Sequence, residues 1–102
     1  DYVLIDVRRR EEVEQGSIPT AKHVPVADIG TAFLLPPTTF AAVYGFKPPA
    51  KDANIIFYCK SGVRSLIAVK FARDLGFANT KTYEGSWDEW DAEAQKPKPE
   101  SE

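Results

Sequence analysis

The sequence has 102 residues, 43% of them apolar and 27% charged, with a formal net charge of −2 and an isoelectric point near 5.4. That composition supports one modest core, leaves no room for a second catalytic domain, and gives no reason to expect nucleic acid or an anionic membrane as a partner. A single cysteine excludes an internal disulfide framework and fits a reducing compartment; no run approaches the ~20 apolar residues of a membrane span, and no signal peptide is visible.

The chain opens inside a strand at Asp1-Tyr2-Val3-Leu4, so an upstream piece, with any targeting sequence, is expected to be missing. Tyr2 to Val7 is a near-continuous apolar run of the kind found in a parallel strand buried on both faces. Asp6 and Arg8 lie at its carboxyl end, where α/β sheets place their sites; they either contact a substrate or tie neighbouring loops together. Arg9 to Gln15 reads as a short surface helix stopped by Gly16. Ile18-Pro19 and Val24-Pro25 bracket a turn and a short strand that carries the only histidine, His23, for which a structural role is expected. From Ala27 to Ala53 the chain is long for a connection. Thr38 or Thr39 can cap a helix whose Phe40, Val43 and Tyr44 fall at i, i+3 and i+4, and this segment is expected to help wall a pocket.

Asn54 to Gly76 organises the rest. Ile55 to Tyr58 has the length and composition of a buried strand, and it runs into Cys59, the sole cysteine. Ser61 and Gly62 mark a turn. From Arg64 a helix is expected, with Ile67, Ala68, Phe71, Ala72 and Leu75 on its buried face and Gly76 at its end. Leu66 falls off that face and suggests a contact for a partner. Backbone amides of a tight loop entering a helix converge on what lies before them, so a thiol there ionises easily. Lys60 and Arg64 are expected to lower the Cys59 pKa further and to attract an anion.

Thr80 to Glu84 reads as a last strand and Gly85-Ser86 as a turn, followed by a helix with Trp87, Trp90 and Ala94 at helical spacing and the tryptophans closing the core. Residues 96–102 alternate charge and proline and read as a disordered tail after a single domain spanning 1–95. Alternating strands and helices predict an α/β fold, a mainly parallel central sheet with helices on both faces.

Cys59-Lys60-Ser61-Gly62-Val63-Arg64-Ser65 resembles the active-site loop of rhodanese-type sulfurtransferases. Leu4-Ile5-Asp6-Val7-Arg8 with Glu11-Glu12, the segment Gly16 to Pro25, and Gly85-Ser86-Trp87-Asp88-Glu89-Trp90 resemble three further motifs of that family, in the family's order, over about residues 2 to 92. The segment from Leu34-Leu35-Pro36-Pro37 through Tyr44-Gly45-Phe46-Lys47-Pro48 resembles small eukaryotic members, several of them mitochondrial. The sequence departs from the family pattern at Ser17, where a histidine is usual, and at Thr20 and Ser86, where glycines are usual. The resemblance implies a rhodanese-like fold and transfer of sulfane sulfur from thiosulfate, or a persulfide donor, through a Cys59 persulfide to cyanide or a thiol such as glutathione or a thioredoxin-like protein. It implies a cradle of amides from Lys60, Ser61, Gly62, Val63, Arg64 and Ser65, with Lys60 and Arg64 binding the donor's sulfonate, Asp6 and Arg8 behind them, no metal and no cofactor. The expected setting is intracellular, mitochondrial or cytoplasmic. Two alternatives remain: a phosphatase of the dual-specificity kind, against which stand the four residues between Cys59 and Arg64 where such enzymes carry five, and a non-catalytic binding module.

Overall fold

A computed structural model of the chain describes residues 1–96; the expected tail lies, apart from Lys96, outside the described residues. Four strands form one sheet: β1 (Val3–Asp6), β2 (Lys22–His23), β3 (Ile55–Tyr58) and β4 (Thr80–Thr82), in the order β2-β1-β3-β4 and all parallel. The helices are α1 (Arg10–Glu14), α2 (Ile29–Ala32), α3 (Pro37–Tyr44), α4 (Val63–Asp74) and α5 (Ser86–Gln95), with a 3-10 turn at Val26–Asp28 leading into α2. The α/β class and the parallel sheet are those the alternation of elements predicts. Strands β1 and β4 are shorter than expected, although Val7 and Tyr83 each continue the pairing by one N–H, to the Tyr58 and Phe57 carbonyls at 2.9 Å.

Strand alternation decides what each face carries. Ile5, Val7, Ile55, Phe57 and Cys59 point into the core, against Ile29 and Ala32 of α2, Phe40 of α3 and Ala68, Val69 and Ala72 of α4. Phe33, Phe40, Phe46 and Phe77 extend this core as ring contacts 5.0 to 5.6 Å apart. On the opposite face Leu4 and Ile56 are half-buried, and α5 brings Trp90 to the rim of a groove they share with Tyr2 and Tyr83. Neither tryptophan joins the main core; both cover this second face.

Two helices differ from the sequence expectation. In α3 the capping position is Pro36 and Pro37 is the first helical residue, so Thr38 and Thr39 lie inside the helix. Proline suits that place because its fixed φ is helical and its missing N–H would have no partner there. Phe40 is buried, but Val43 points to solvent. Helix α4 starts at Val63 and buries Ser65, Ala68, Val69 and Ala72, while Ile67 and Phe71 are 42% and 49% exposed. Small side chains face the sheet because the helix sits close to it.

Candidate active site

Strand β3 delivers Cys59 to the core side, where it is 1% exposed. The chain then turns through Gly62 at φ +99°, and the turn aims N–H groups at sulfur: Gly62 N–H at 3.0 Å and Ser65 N–H at 3.3 Å from Sγ. The Ser65 donor is free because the first turn of a helix has no carbonyls behind it to satisfy its amides. Only glycine fits at 62, since a Cβ there would stand 2.6 Å from the Glu84 carbonyl oxygen.

Burial pushes the Cys59 thiol up, but the hydrogen bonds from the Ser65 hydroxyl and from the backbone N–H groups of Ser65, Gly62 and Ser61 outweigh it, leaving the thiol below its ordinary value. Ser65 Oγ lies 3.5 Å from Sγ and 2.7 Å from Thr82 Oγ1. With sulfur ionised, Ser65 donates to it and Thr82 donates to Ser65. The sequence reading put the charges of Lys60 and Arg64 among the causes; they are not among the leading ones, since each is paired with a carboxylate. Alkylation of Cys59 should therefore reach half its maximal rate below about pH 8.5, the value of a free thiol, and fall off as pH drops through that lower midpoint. Ser65→Ala should move the midpoint up while Lys60→Ala barely shifts it; the reverse ranking, read from iodoacetamide rates, would restore the charge explanation.

The loop is also held from behind. Ser86 Oγ accepts the Cys59 N–H at 3.2 Å and donates to the Tyr83 carbonyl at 2.7 Å. Trp87 N–H reaches the Cys59 carbonyl at 2.9 Å and Asp88 N–H the Lys60 carbonyl at 3.0 Å. Ser86, at φ +52°, and Thr20, at φ +74°, are the two described non-glycine residues in the left-handed region. They are the positions where the sequence departs from the family's glycines, and the backbone has kept the glycine-like conformation. At Ser86 the strain coincides with two side-chain hydrogen bonds that glycine could not make. Sequence reasoning treated Ser86 only as a turn residue.

Asp6 and Arg8 meet each other. The Arg8 guanidinium donates to the Asp6 carboxylate at 2.7 to 3.1 Å and to the Gly16 carbonyl at 2.6 Å, and lies 4.7 Å from the Trp87 ring centroid. Both are buried. His23 Nε2–H donates to the Arg8 carbonyl at 2.7 Å, which fixes the tautomer because a carbonyl only accepts. These contacts join β1, β2, the Gly16 turn and α5.

In front of the loop lies a cavity of about 520 Å³, lined by Val7, Arg9, Glu12, Pro25, Val26, Ala27, Lys60 and Arg64. Its apolar wall is the Pro25–Ala27 stretch; α3, expected to wall the pocket, is not part of it. Arg64 is gripped by Glu12 through two hydrogen bonds, Nη1 to Oε1 at 2.7 Å and Nη2 to Oε2 at 3.0 Å. Lys60 pairs with Asp88 at 2.8 Å. Ser61 is exposed and contributes its backbone, and the Val63 side chain faces solvent. Leu66 is exposed too, beside Ile67 and Phe71. Among the described residues no group of three or more His, Cys, Asp or Glu side chains could hold a metal ion.

A family model described as a rhodanese-like domain matches residues 1–93. The human thiosulfate:glutathione sulfurtransferase is 40% identical over 88 residues, covering 85% of this chain and 76% of that protein. A Schizosaccharomyces pombe protein named putative thiosulfate sulfurtransferase, mitochondrial, is 43% identical over 88 residues, 86% of this chain and 62% of its own. Among solved structures, the human single-domain sulfurtransferase TSTD1 superposes with a TM-score of 0.87 at 34% identity, covering 94% of this chain and 84% of that one.

Proposed function

The chain belongs to the rhodanese-like domain family and is a thiosulfate sulfurtransferase, and we propose that it carries sulfane sulfur as a Cys59 persulfide and passes it to a small thiol such as glutathione. The observation that carries this reading is the ring of N–H and O–H donors around Sγ, which favours the thiolate, the nucleophilic form. The thiolate attacks the outer sulfur of thiosulfate; the S–S bond to the sulfonate sulfur breaks, and sulfite leaves with the electron pair. The new terminal sulfur carries the negative charge and sits in front of the loop's remaining amides, which stabilise it as an oxyanion hole stabilises oxygen. Attack of an acceptor thiolate on that terminal sulfur then returns Cys59 to its resting form.

Glutathione is favoured as acceptor by the name of the human relative and by a cavity in front of the loop roomy enough for a tripeptide. Lys60 and Arg64 at that cavity suit the donor's anionic end. A thiolate enzyme suits a reducing compartment, and the name of the fission-yeast relative favours mitochondria.

The test is direct. Thiosulfate alone should add one sulfur, about 32 Da, to the domain, and thiosulfate with glutathione should release sulfite continuously. Both signals should vanish in Cys59→Ser, whose hydroxyl cannot form a persulfide. An unmodified wild-type domain that hydrolyses an aryl phosphate would replace this reading by the phosphatase, and one that does neither would make it a binding module.

A further inference from the structure

Lys60 and Arg64 of the cavity are both paired with distant carboxylates, but Arg64 is held by two hydrogen bonds where Lys60 has one, and the residue that holds it belongs to no part of the sulfur cradle. Glu12 sits on α1, 52 residues away in sequence, on a five-residue helix with no buried side chain of its own. Its carboxylate is itself held, since Oε1 accepts the Arg9 N–H at 3.0 Å at the start of that helix. Hydrogen bonds from Arg64 hold the Glu12 carboxyl at about 2, so it stays charged through the physiological range. The two bonds to Arg64 run end-on, one from each terminal nitrogen. A guanidinium carries five N–H groups, so this grip leaves Nε–H and one N–H on each terminal nitrogen for another anion.

We infer that Glu12 is a positioning residue for the donor: it pins the guanidinium of Arg64 across the mouth of the cavity so that the unused N–H groups meet the sulfonate end of thiosulfate. This rests on the sulfurtransferase reading above. The alternative role for Glu12 is that of a counter-ion which the donor must displace, and the two roles predict opposite signs. An oriented fork binds the donor before it reacts, so losing the orientation raises KM more than it lowers kcat. Losing a competing counter-ion lowers KM.

Steady-state sulfite release should be measured for wild type, Glu12→Ala, Glu12→Gln, Arg64→Ala and the double variant, with a melting curve for each. Glu12→Ala should raise KM for thiosulfate about tenfold with kcat changed less than about threefold, and Glu12→Gln, which keeps one acceptor oxygen, should fall between. In the Arg64→Ala background the Glu12→Ala penalty should disappear, because there is no guanidinium left to orient. A KM that is unchanged or lowered in Glu12→Ala, or penalties that multiply in the double variant, would overturn the inference. If Glu12→Ala does not fold, Glu12→Gln carries the same comparison. A wild-type domain that fails to take up sulfur from thiosulfate would instead count against the sulfurtransferase reading.

Discussion

Gly62→Ala should cost the enzyme at least about 100-fold in turnover while leaving most of the fold intact, because its damage is confined to the cradle. Two effects act at once. A left-handed backbone costs an L-residue roughly 1–2 kcal/mol, and the new Cβ would stand 2.6 Å from the Glu84 carbonyl oxygen, which is backbone and cannot rotate away. The loop has to move, and it carries the Gly62 and Ser65 N–H groups now 3.0 and 3.3 Å from Sγ. A displacement of about an ångström is enough to break hydrogen bonds of that length. The thiol should then ionise less readily and the persulfide should lose its charge stabilisation. Sulfite release and the alkylation midpoint read the two losses separately; a variant that keeps half its turnover would show that the amides around sulfur are not what drives the reaction.

The strand–turn–helix junction that carries Cys59 was legible in the sequence because it is local. A β-branched and aromatic run, a cysteine, a glycine turn and a helical pattern follow one another within twenty-odd residues, and each switch of period marks an element. The position of Cys59 at the strand–helix junction follows from that alone. The buried face of α4 followed only in part: Ala68 and Ala72 are buried and Leu75 packs on the core, but Ile67 and Phe71 are exposed. Residues 66 to 69, 71 and 72 are all apolar, so hydrophobicity marks nearly the whole circumference and does not choose a face. Size chooses it: Ser65, Ala68 and Ala72 let the helix lie close to the sheet, and Ile67 and Phe71 go outward.

Contacts between distant segments were invisible. Glu12 holding Arg64, Thr82 supporting Ser65 and Ser86 holding Cys59 join parts of the chain 17 to 52 residues apart. No spacing rule links them. The one usable signal was at Ser86, where a non-glycine residue stands in a position that resembles a glycine of the family and so demands a compensating contact. The capping of α3 was misread for a related reason. Threonine is a good cap wherever a helix starts, but Pro36-Pro37 ahead of it had already set the start.

Arg64→Ala should lower kcat/KM for thiosulfate by about 100-fold, roughly 2.7 kcal/mol of transition-state stabilisation, while Lys60→Ala should stay within about threefold. The two cations differ in surroundings more than in charge. The Lys60 side chain is 59% exposed and its partner Asp88 50%, so water and salt screen the pair. The Arg64 side chain is 30% exposed and its fork is fixed against Glu12. An oriented guanidinium matches a tetrahedral oxyanion in two places, and an ammonium on a mobile stem matches it in one. Removing Arg64 has a second consequence: Glu12 keeps as its ion-pair partner only the largely exposed Arg9 side chain, 3.6 Å away, and stands in the same cavity as a weakly compensated carboxylate, charged at neutral pH and repelling the dianionic donor. The loss should therefore ease in acid, as the Glu12 carboxyl, freed from Arg64, returns toward the usual carboxylate range and takes up a proton. Measuring kcat/KM between pH 5 and 8 for both variants decides the matter, and equal losses at Lys60 and Arg64 would show that charge alone, without orientation, recruits the donor.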